Sequence, residues 1–264
     1  MTQPKTYPVF AHGLPEPGDV RGKYRFRFAT TPEELEAIQR LRFEVFNLEL
    51  GEGLEESYAT GLDQDRFDPV CHHLMVVDVA ADKVVGTYRI QTHDMAAAYG
   101  GFYSADEFDL DGLPEDVRSN AIEVGRAVVA LEYRNQKVLF LLWRGLAAYM
   151  EKNAKRYLFG CCSLTSQDPA MGKRVMDYLE ERDHCHPDYR VQPQPDWVCY
   201  EAGFDPGPPP EPVKLPKLFR TYMRYGAKVC GPPAIDRTFK TIDYLVLLDV
   251  SQLDGVTRAL FFGG

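Results

Sequence analysis

The chain has 264 residues and is 45% hydrophobic, which is enough apolar material for a sizeable core. Its 39 acidic and 30 basic side chains give a net charge of −9, which disfavours general nucleic-acid binding because phosphates attract Lys and Arg. No apolar stretch reaches the roughly 20 residues of a membrane span, and the N-terminus lacks the apolar segment of a signal peptide. We therefore expect a cytoplasmic protein, with peripheral contact to the inner membrane as an alternative.

The first half of the chain alternates between strand and helix patterns. Residues 1–23 contain several Pro and Gly and are predicted to form a flexible arm. The alternating segment 24–28 predicts a strand, and Thr31 followed by Pro32 and two Glu residues predicts the start of a helix. An acidic, loop-like segment follows at 49–70.

The centre of the chain favours an α/β fold. Two strand patterns at 74–79 and 84–91 predict a hairpin, and a third strand surrounds Glu123. A helix is expected from Lys137, followed by a buried strand at 157–164. Strands and a helix alternate along this part of the chain, which predicts an α/β architecture.

The C-terminal part is interrupted by a proline-rich segment. Residues 187–216 hold nine of the 19 prolines, so we expect 165–216 to form an insertion wrapped over the core. A short helix at 218–225 and a final strand at 243–250 complete the pattern. We predict a single domain over 24–264.

Charged residues occur at fixed points inside two apolar strand patterns. Glu123 and Arg126 lie in IEVGRAVV at 122–129, and Arg89 lies in VVGTYRI at 84–90. Burying such charges is costly unless they are paired or take part in chemistry. Strict alternation would place Glu123 and Arg126 on opposite faces, but a bulge at Gly125 could bring them together.

Glu123 is a candidate general base. An amine must lose a proton before it attacks a thioester, and burial in an apolar strand makes a carboxylate more basic. The alternative is a buried ion pair with Arg126 or Arg89 that takes no part in chemistry.

The order of these elements resembles the GCN5-related N-acyltransferase fold, and within it the bacterial L-ornithine N-acyltransferases and N-acyl amino acid synthases. The acyl-homoserine lactone synthases are a more distant resemblance. The matching patches are LRFEVF at 41–46, DRFDPVC at 65–71, VVGTYRI at 84–90 and IEVGRAVV at 122–129. A fifth patch, YMRYGA at 222–227 followed by GPPAID at 231–236, points to the ornithine acyltransferases.

This resemblance implies a mixed, mostly antiparallel central sheet flanked by helices. It also implies transfer of a long acyl chain to the α-amine of an amino acid, ornithine or another. Alternatives are an acyl-coenzyme A acetyltransferase, a signal synthase of the acyl-homoserine lactone type, or a non-catalytic binder of lipid or carrier protein. The resemblance assigns Glu123 and Arg126 to catalysis. Substrate-binding roles are assigned to Arg42, Phe46, Asp65, Asp68, Arg89 and Ser163.

The donor is expected to be an acyl carrier protein. Acetyltransferases of this fold cradle the coenzyme A diphosphate in a Gly-rich turn, whereas the turn at 134–139 contains no Gly. Relatives with this feature use the carrier-bound phosphopantetheine thioester, so no separate cofactor is expected. Val128, Arg134 and Val138 are assigned to donor binding.

Several of these residues have a structural alternative. Arg42 and Arg89 could hold a substrate carboxylate, or pair with Asp65 and Asp68 as a scaffold below the site. The two aspartates could instead bind a cationic substrate such as ornithine, or belong to a solvated loop.

Two basic sets could attract an acidic carrier. One comprises Arg134, Lys137, Arg144, Lys152, Lys155 and Arg156, and the other comprises Lys214, Lys217, Arg220, Arg224 and Lys228. The first spreads around its helix, so only the second is expected to form a patch.

We expect no metal site, although the DHCH segment at 183–186 offers ligand atoms. Cys161 and Cys162 are expected to pack in the core.

Overall fold

The computed structural model of the protein describes residues 7–18, 20–208 and 211–263. Within these residues the strands are β1 (Tyr24–Phe28), β2 (His72–Asp78), β3 (Lys83–Thr92), β4 (Phe108–Asp109), β5 (Ala121–Val129), β6 (Tyr157–Leu164), β7 (Gln192–Pro193), β8 (Lys228–Val229), β9 (Ala234–Asp236) and β10 (Thr241–Asp249). The α-helices are α1 (Pro32–Phe43), α2 (Ser57–Thr60), α3 (His93–Ala98), α4 (Glu115–Ser119), α5 (Gln136–Lys152), α6 (Pro169–Glu181), α7 (Lys217–Arg224) and α8 (Gly255–Phe262). A π-helical turn at Glu44–Glu49 continues α1.

The chain divides into two compact units. The first contains Met1–Gly101, Ile122–Lys155 and Asp254–Gly264, and the second contains Phe102–Ala121 and Arg156–Leu253.

The first unit is built on an antiparallel sheet with strand order β1-β2-β3-β5. Every residue of β2 is buried, because helices cover both of its faces. Met75 and Val77 share a core cluster with Ile38 of α1. On the other face Leu74 meets α5 at Gly145, where an added Cβ would lie 2.4 Å from a Leu74 methyl carbon.

Local sequence signals explain where the two covering helices begin. The Thr31 hydroxyl accepts a hydrogen bond from the Glu34 backbone N–H at 3.3 Å, which caps α1 as predicted. At the start of α5 the Asn135 side chain accepts from the N–H groups of Lys137 and Val138 at 3.0 and 3.1 Å. Both caps satisfy backbone donors that a helix terminus otherwise leaves unpaired.

The second unit contains the antiparallel pair β6 and β10, with β8 and β9 also paired to β10. A separate two-stranded pair joins β4 to β7. Helix α7 packs against β6, and Phe219 of α7 lies 5.5 Å from the Tyr244 ring of β10.

These elements confirm the predicted fold class, in which mainly antiparallel strands are flanked by helices. The predicted insertion at 165–216 contains α6 and β7, so part of it is regular structure; residues 209–210 lie outside the described residues. The prediction of one domain over 24–264 stays a prediction.

Part of the predicted arm at 1–23 packs against the rest of the first unit. Residues 1–6 and 19 lie outside the described residues. The Phe10 carbonyl oxygen lies 2.7 Å from His72 Nε2, and the Gly13 carbonyl accepts a hydrogen bond from Asn153. Among the described helices, none combines the length and apolar character needed to cross a bilayer.

Candidate active site

The centre of β5 is distorted by a bulge. Arg89 of β3 pairs with Gly125 of β5, but Thr87 pairs with Val128, so two β5 residues lie opposite one β3 residue. Arg126 in this bulge has a φ of 49°, in the left-handed region that non-glycine residues rarely adopt. We expected the bulge at Gly125, but it lies just after that glycine.

Glu123 is buried beside a small open space. Its side chain is on the same face of the sheet as Arg89, because Glu123 pairs with Gln91 and Arg89 pairs with Gly125. Glu123 is 5% exposed, whereas Gly125, Arg126 and Ala127 are only partly buried. A Cβ added at Gly125 would meet no atom within 4 Å. The strand therefore opens two residues beyond the candidate base.

Arg42 of α1 lies in the interior and contacts two aspartates. Its Nε donates to Asp63 Oδ2 at 2.6 Å, and its Nη1 donates to Asp68 Oδ1 at 2.8 Å. Its Nη2 donates to the Asp63 carbonyl and to Asp68 Oδ2 at 2.8 and 3.0 Å. All three side chains are 0% exposed, so these ion pairs are shielded from water.

Arg89 and Arg126 converge on Asp65. Arg89 donates to both carboxylate oxygens of Asp65 at 2.6 and 2.7 Å, and to Asp68 at 3.0 Å. Arg126 donates to Asp65 Oδ2 at 3.1 Å and lies 3.4 Å from Asp63 in a second ion pair. The bulge thus brings Arg126 to the same carboxylate as Arg89.

Three arginines and three aspartates therefore form one charge-balanced network, Arg42, Asp63, Asp65, Asp68, Arg89 and Arg126. Burial opposes ionisation of Asp68, but the guanidinium groups of Arg42 and Arg89 outweigh it and hold the pKa of Asp68 well below its usual range. Burial also opposes ionisation of Asp65, and there Arg89 and Arg126 lower the pKa. Both aspartates stay ionised at neutral pH.

The network favours the scaffold alternative for its deepest members. Arg42 and Asp68 have no exposed side-chain surface and satisfy one another, so they support the site from below. Asp65 and Arg126 are nearer the surface, with side chains 14% and 7% exposed. Substrate binding by Arg42, Asp65, Asp68 and Arg89, and catalysis by Glu123 and Arg126, stay predictions.

The residues predicted to bind the donor lie around β5 and the start of α5. Val128 is buried, and Val138 is fully buried, where an added Cβ on Gly86 would approach it to 3.2 Å. Arg134 is partly exposed and holds both carboxylate oxygens of Glu49 at 2.6 and 2.7 Å. Of these three side chains, Arg134 alone has a polar group that could meet a phosphate.

The two remaining predicted residues lie apart in the chain. Phe46 is 9% exposed within the π-helical turn after α1. Ser163 is an exposed residue of β6 in the second unit, where its hydroxyl donates to Asp243.

Sequence reasoning missed three residues of the network's surroundings. Asp63 pairs with two arginines, Gln39 donates to Asp68 at 3.0 Å, and His73 Nε2 lies 3.0 Å from the Asp68 carbonyl. Asp63 could have been found from the sequence, because it lies in one short segment with Asp65 and Asp68. Nothing in the local pattern distinguished the other two from ordinary polar residues.

A second missed group is a trio of buried carboxylates in the second unit. Oxygens of Glu107, Asp236 and Asp243 lie within 4.8 Å of one another. Thr241 donates to Asp243 at 2.8 Å, and Asp236 accepts from the N–H groups of Thr238 and Phe239, both at 2.7 Å. In the described part of the chain this trio, and not the segment at 183–186, has the spacing of metal ligands.

The four buried cysteines Cys71, Cys162, Cys199 and Cys230 have raised thiol pKa values. All six cysteines in the described residues are free thiols. Burial raises the pKa of Cys71, and the nearby Arg89 only partly offsets this effect. Burial likewise raises the pKa of Cys162 and raises that of Cys199 and Cys230 to about 12 each.

Comparison with known proteins identifies the class. The family model for an acetyltransferase (GNAT) domain matches residues 41–144, a range that contains Glu123 and the whole charge network. The chain is therefore an N-acyltransferase, an enzyme that transfers an acyl group to an amino nitrogen.

The relatives define the family. The chain is 33% identical over 247 residues to the L-ornithine N(alpha)-acyltransferase of Brucella abortus (strain 2308), covering 88% of this chain and 86% of that protein. It is 33% identical over 239 residues to the enzyme of the same name from Rhizobium meliloti (strain 1021), covering 87% and 81%. The chain belongs to the L-ornithine N(alpha)-acyltransferase family, which confirms the resemblance noted from its motifs.

A solved structure of similar shape is an N-acyl amino acid synthase from uncultured soil microbes. It shares 14% sequence identity with this chain and has a TM-score of 0.49, and the match covers 87% of this chain and 92% of that one.

Proposed function

We propose that this enzyme transfers a long-chain acyl group from the phosphopantetheine thioester of an acyl carrier protein to the α-amine of ornithine. The observation that carries the proposal is the 33% identity to an L-ornithine N(alpha)-acyltransferase over most of both chains. The acyl donor and the amino acid acceptor follow from that family. The identity of each is part of the proposal.

Glu123 is the proton acceptor in this proposal. The α-ammonium group of the acceptor gives a proton to the Glu123 carboxylate, and the free amine attacks the thioester carbonyl carbon. The resulting tetrahedral intermediate collapses as the carbon–sulfur bond breaks, which yields an amide and a thiol. The sulfur takes up the second proton, which leaves the nitrogen as the amide forms, and Glu123 then releases the first proton to solvent. Support comes from the position of Glu123, buried on the face of β5 that opens at Gly125.

The charge network serves as an electrostatic support for this step. It holds Arg126 in the bulge through ion pairs to Asp63 and Asp65. A preorganised set of fixed charges costs no reorganisation during the reaction.

The N-terminus of α5 supports a donor with one phosphate. Helix N-termini bind diphosphates through free N–H groups. Here the Asn135 side chain occupies the N–H groups of Lys137 and Val138. Fewer backbone N–H groups are therefore left to bind the diphosphate of coenzyme A. The single phosphate of carrier-bound phosphopantetheine needs fewer N–H groups than a diphosphate does.

A peripheral position at the inner membrane, on its cytoplasmic side, is the second part of the proposal. The product would be an amphipathic N-acyl amino acid that partitions into lipid. Support comes from α8, where Val256 and Leu260 are 80% and 50% exposed and lie one turn apart.

The first experiment supplies the purified enzyme with palmitoyl-acyl carrier protein and an equimolar mixture of all amino acids, and identifies N-acyl products by mass spectrometry. We expect N-palmitoyl-ornithine as the main product. A parallel reaction replaces the donor with palmitoyl-coenzyme A at the same concentration, and we expect at least about tenfold less product. A product on another amino acid would overturn the ornithine assignment, and an equal rate with coenzyme A would overturn the carrier assignment.

The role of Glu123 is tested with Glu123→Gln, which keeps the size of the side chain and removes its basicity. We expect kcat to fall by about 10²–10⁴-fold, the usual contribution of a general base. The control is Glu151→Gln, an exposed residue of α5. Wild-type kcat in Glu123→Gln would show that Glu123 is only an ion-pairing residue.

A further inference from the structure

Helix α7 carries a stripe of basic side chains that faces outward. Lys217, Arg220 and Arg224 are exposed, and their spacing of three and four residues places them within about 60° of arc around the helix. Among the described residues, none of the three forms an ion pair. We call Lys217, Arg220 and Arg224 the basic stripe. The exposed Lys214 precedes it.

Several other basic side chains already form ion pairs or hydrogen bonds within the protein. Arg134 pairs with Glu49, Arg156 pairs with Asp249, and Arg144 donates to the Phe261 carbonyl. Lys228, which follows α7, lies 3.4 Å from Asp183. The structure therefore distinguishes the two basic sets: Arg134 and Arg156 of the first are held in ion pairs, whereas the basic stripe of the second forms none within the described residues.

The opposite side of α7 fixes the stripe in place. Phe219, Tyr222 and Met223 are 2%, 5% and 7% exposed, so the apolar face of the helix is buried in the second unit. A helix held in this way presents its charges on a fixed backbone, so binding a partner costs little ordering of α7 itself.

The same burial argues for a protein partner and against a bilayer. Membrane-surface helices combine basic residues with exposed apolar residues that enter the lipid. Within the described residues 211–228, no large apolar side chain is exposed. The basic stripe has the charge of a membrane-surface helix but not its apolar contact area.

We propose that the basic stripe docks an acidic surface of the protein that carries the acyl thioester. This inference rests on the proposed function for the identity of the partner. The chain has a net charge of −9, so an acidic partner is repelled by the molecule as a whole and needs a local positive surface to bind. The stripe provides that surface: within the described residues its charges form no ion pair, although the Arg224 guanidinium lies 5.3 Å from the centroid of the neighbouring Tyr225 ring.

The test is a charge reversal that leaves the chemistry intact. Arg220→Glu/Arg224→Glu is compared with a control of equal charge change, Arg25→Glu/Arg182→Glu, which also replaces two exposed residues and lies outside both basic sets. Initial rates are measured with palmitoyl-acyl carrier protein and with the small donor palmitoyl-pantetheine. Circular dichroism and thermal unfolding check that both variants fold.

We expect the stripe variant to raise KM for the acyl carrier protein at least about tenfold, with the rate on palmitoyl-pantetheine within twofold of wild type. The control variant should change KM by less than threefold. The wild-type KM should also rise with NaCl, and this salt dependence should weaken in the stripe variant.

The outcomes separate the two proposals. If the wild-type enzyme uses palmitoyl-pantetheine but no carrier protein, the carrier assignment of the proposed function fails. If it uses the carrier protein and the stripe variant keeps the wild-type KM, the docking proposal fails. Loss of binding to phosphatidylglycerol vesicles in the stripe variant, with an unchanged KM for the carrier, would overturn it in favour of a lipid surface.

Discussion

Removing the central arginine of the buried network should destabilise the protein strongly. Arg42→Met leaves Asp63 and Asp68 without the guanidinium that contacts both of them, and the network changes from three positive and three negative charges to two and three. Breaking a fully buried ion pair from one side costs about 3–5 kcal/mol. That is a large share of the 5–15 kcal/mol by which proteins of this kind are typically stable.

The magnitude can be measured against a control in the same helix. Arg40 lies two residues earlier in α1 and pairs with Glu36 at 2.8 Å, but both side chains are more than half exposed. Arg40→Met should therefore cost less than about 1 kcal/mol. Urea unfolding followed by tryptophan fluorescence gives both free energies of unfolding, and the thermal midpoint of Arg42→Met should fall by roughly 6–20 °C.

A third variant separates charge from geometry. Arg42→Lys retains the positive charge but loses the planar group that bonds two carboxylates at once, and should cost about 2 kcal/mol. If Arg42→Met and Arg40→Met agreed within 1 kcal/mol, the network would contribute no net stability and our account of the scaffold would be wrong.

Three further predictions address other parts of the first unit. Burial lowers the pKa of His72 and His73 to about 4 each, below the unfolded value of about 6.5. The unfolded chain therefore binds more protons, and the free energy of unfolding should fall as pH drops from about 6.5 to 4. Urea titrations across this range would contradict the pKa shifts if stability stayed constant. Gly125→Ala should retain wild-type stability because its Cβ meets no atom within 4 Å. Gly125→Val should fold but lose at least about tenfold in kcat/KM, because the larger side chain fills the space beside Glu123. Full activity of the valine variant would show that substrate does not use this space. Gly145→Ala should lower the free energy of unfolding by about 1–3 kcal/mol, although Ala favours helices, because the new Cβ would lie 2.4 Å from a Leu74 methyl carbon. An increase in stability, measured by thermal unfolding, would contradict that packing.

Much of the scaffold could be predicted from the sequence because its signals are local. The Thr31 cap, the strand pattern at 24–28 and the apolar stretch at 84–90 each depend on neighbouring residues, and each appears in the structure where it was expected. The pairing of the charged side chains depends instead on residues far apart in the chain. Arg89 and Asp65 are 24 positions apart, and Arg126 and Asp65 are 61 apart.

The position of the bulge shows why the details of the site were harder to predict. Glycine tolerates a positive φ most easily, so local reasoning placed the distortion at Gly125. The structure places it at Arg126, whose unfavourable backbone conformation coincides with ion pairs to Asp63 and Asp65. The Asp65 partner lies 61 positions earlier in the chain, so no local pattern contained that information.

The raised pKa of the buried cysteines has a consequence for the thioester donor that we propose. A thiolate close to the donor would exchange with it, capture the acyl chain and leave the enzyme acylated on sulfur. Cys71 lies near the charge network, but burial raises its pKa and keeps it as the neutral thiol at neutral pH. The raised pKa of Cys71 therefore disfavours transthioesterification at this position, which agrees with the direct transfer from donor to amine that we propose.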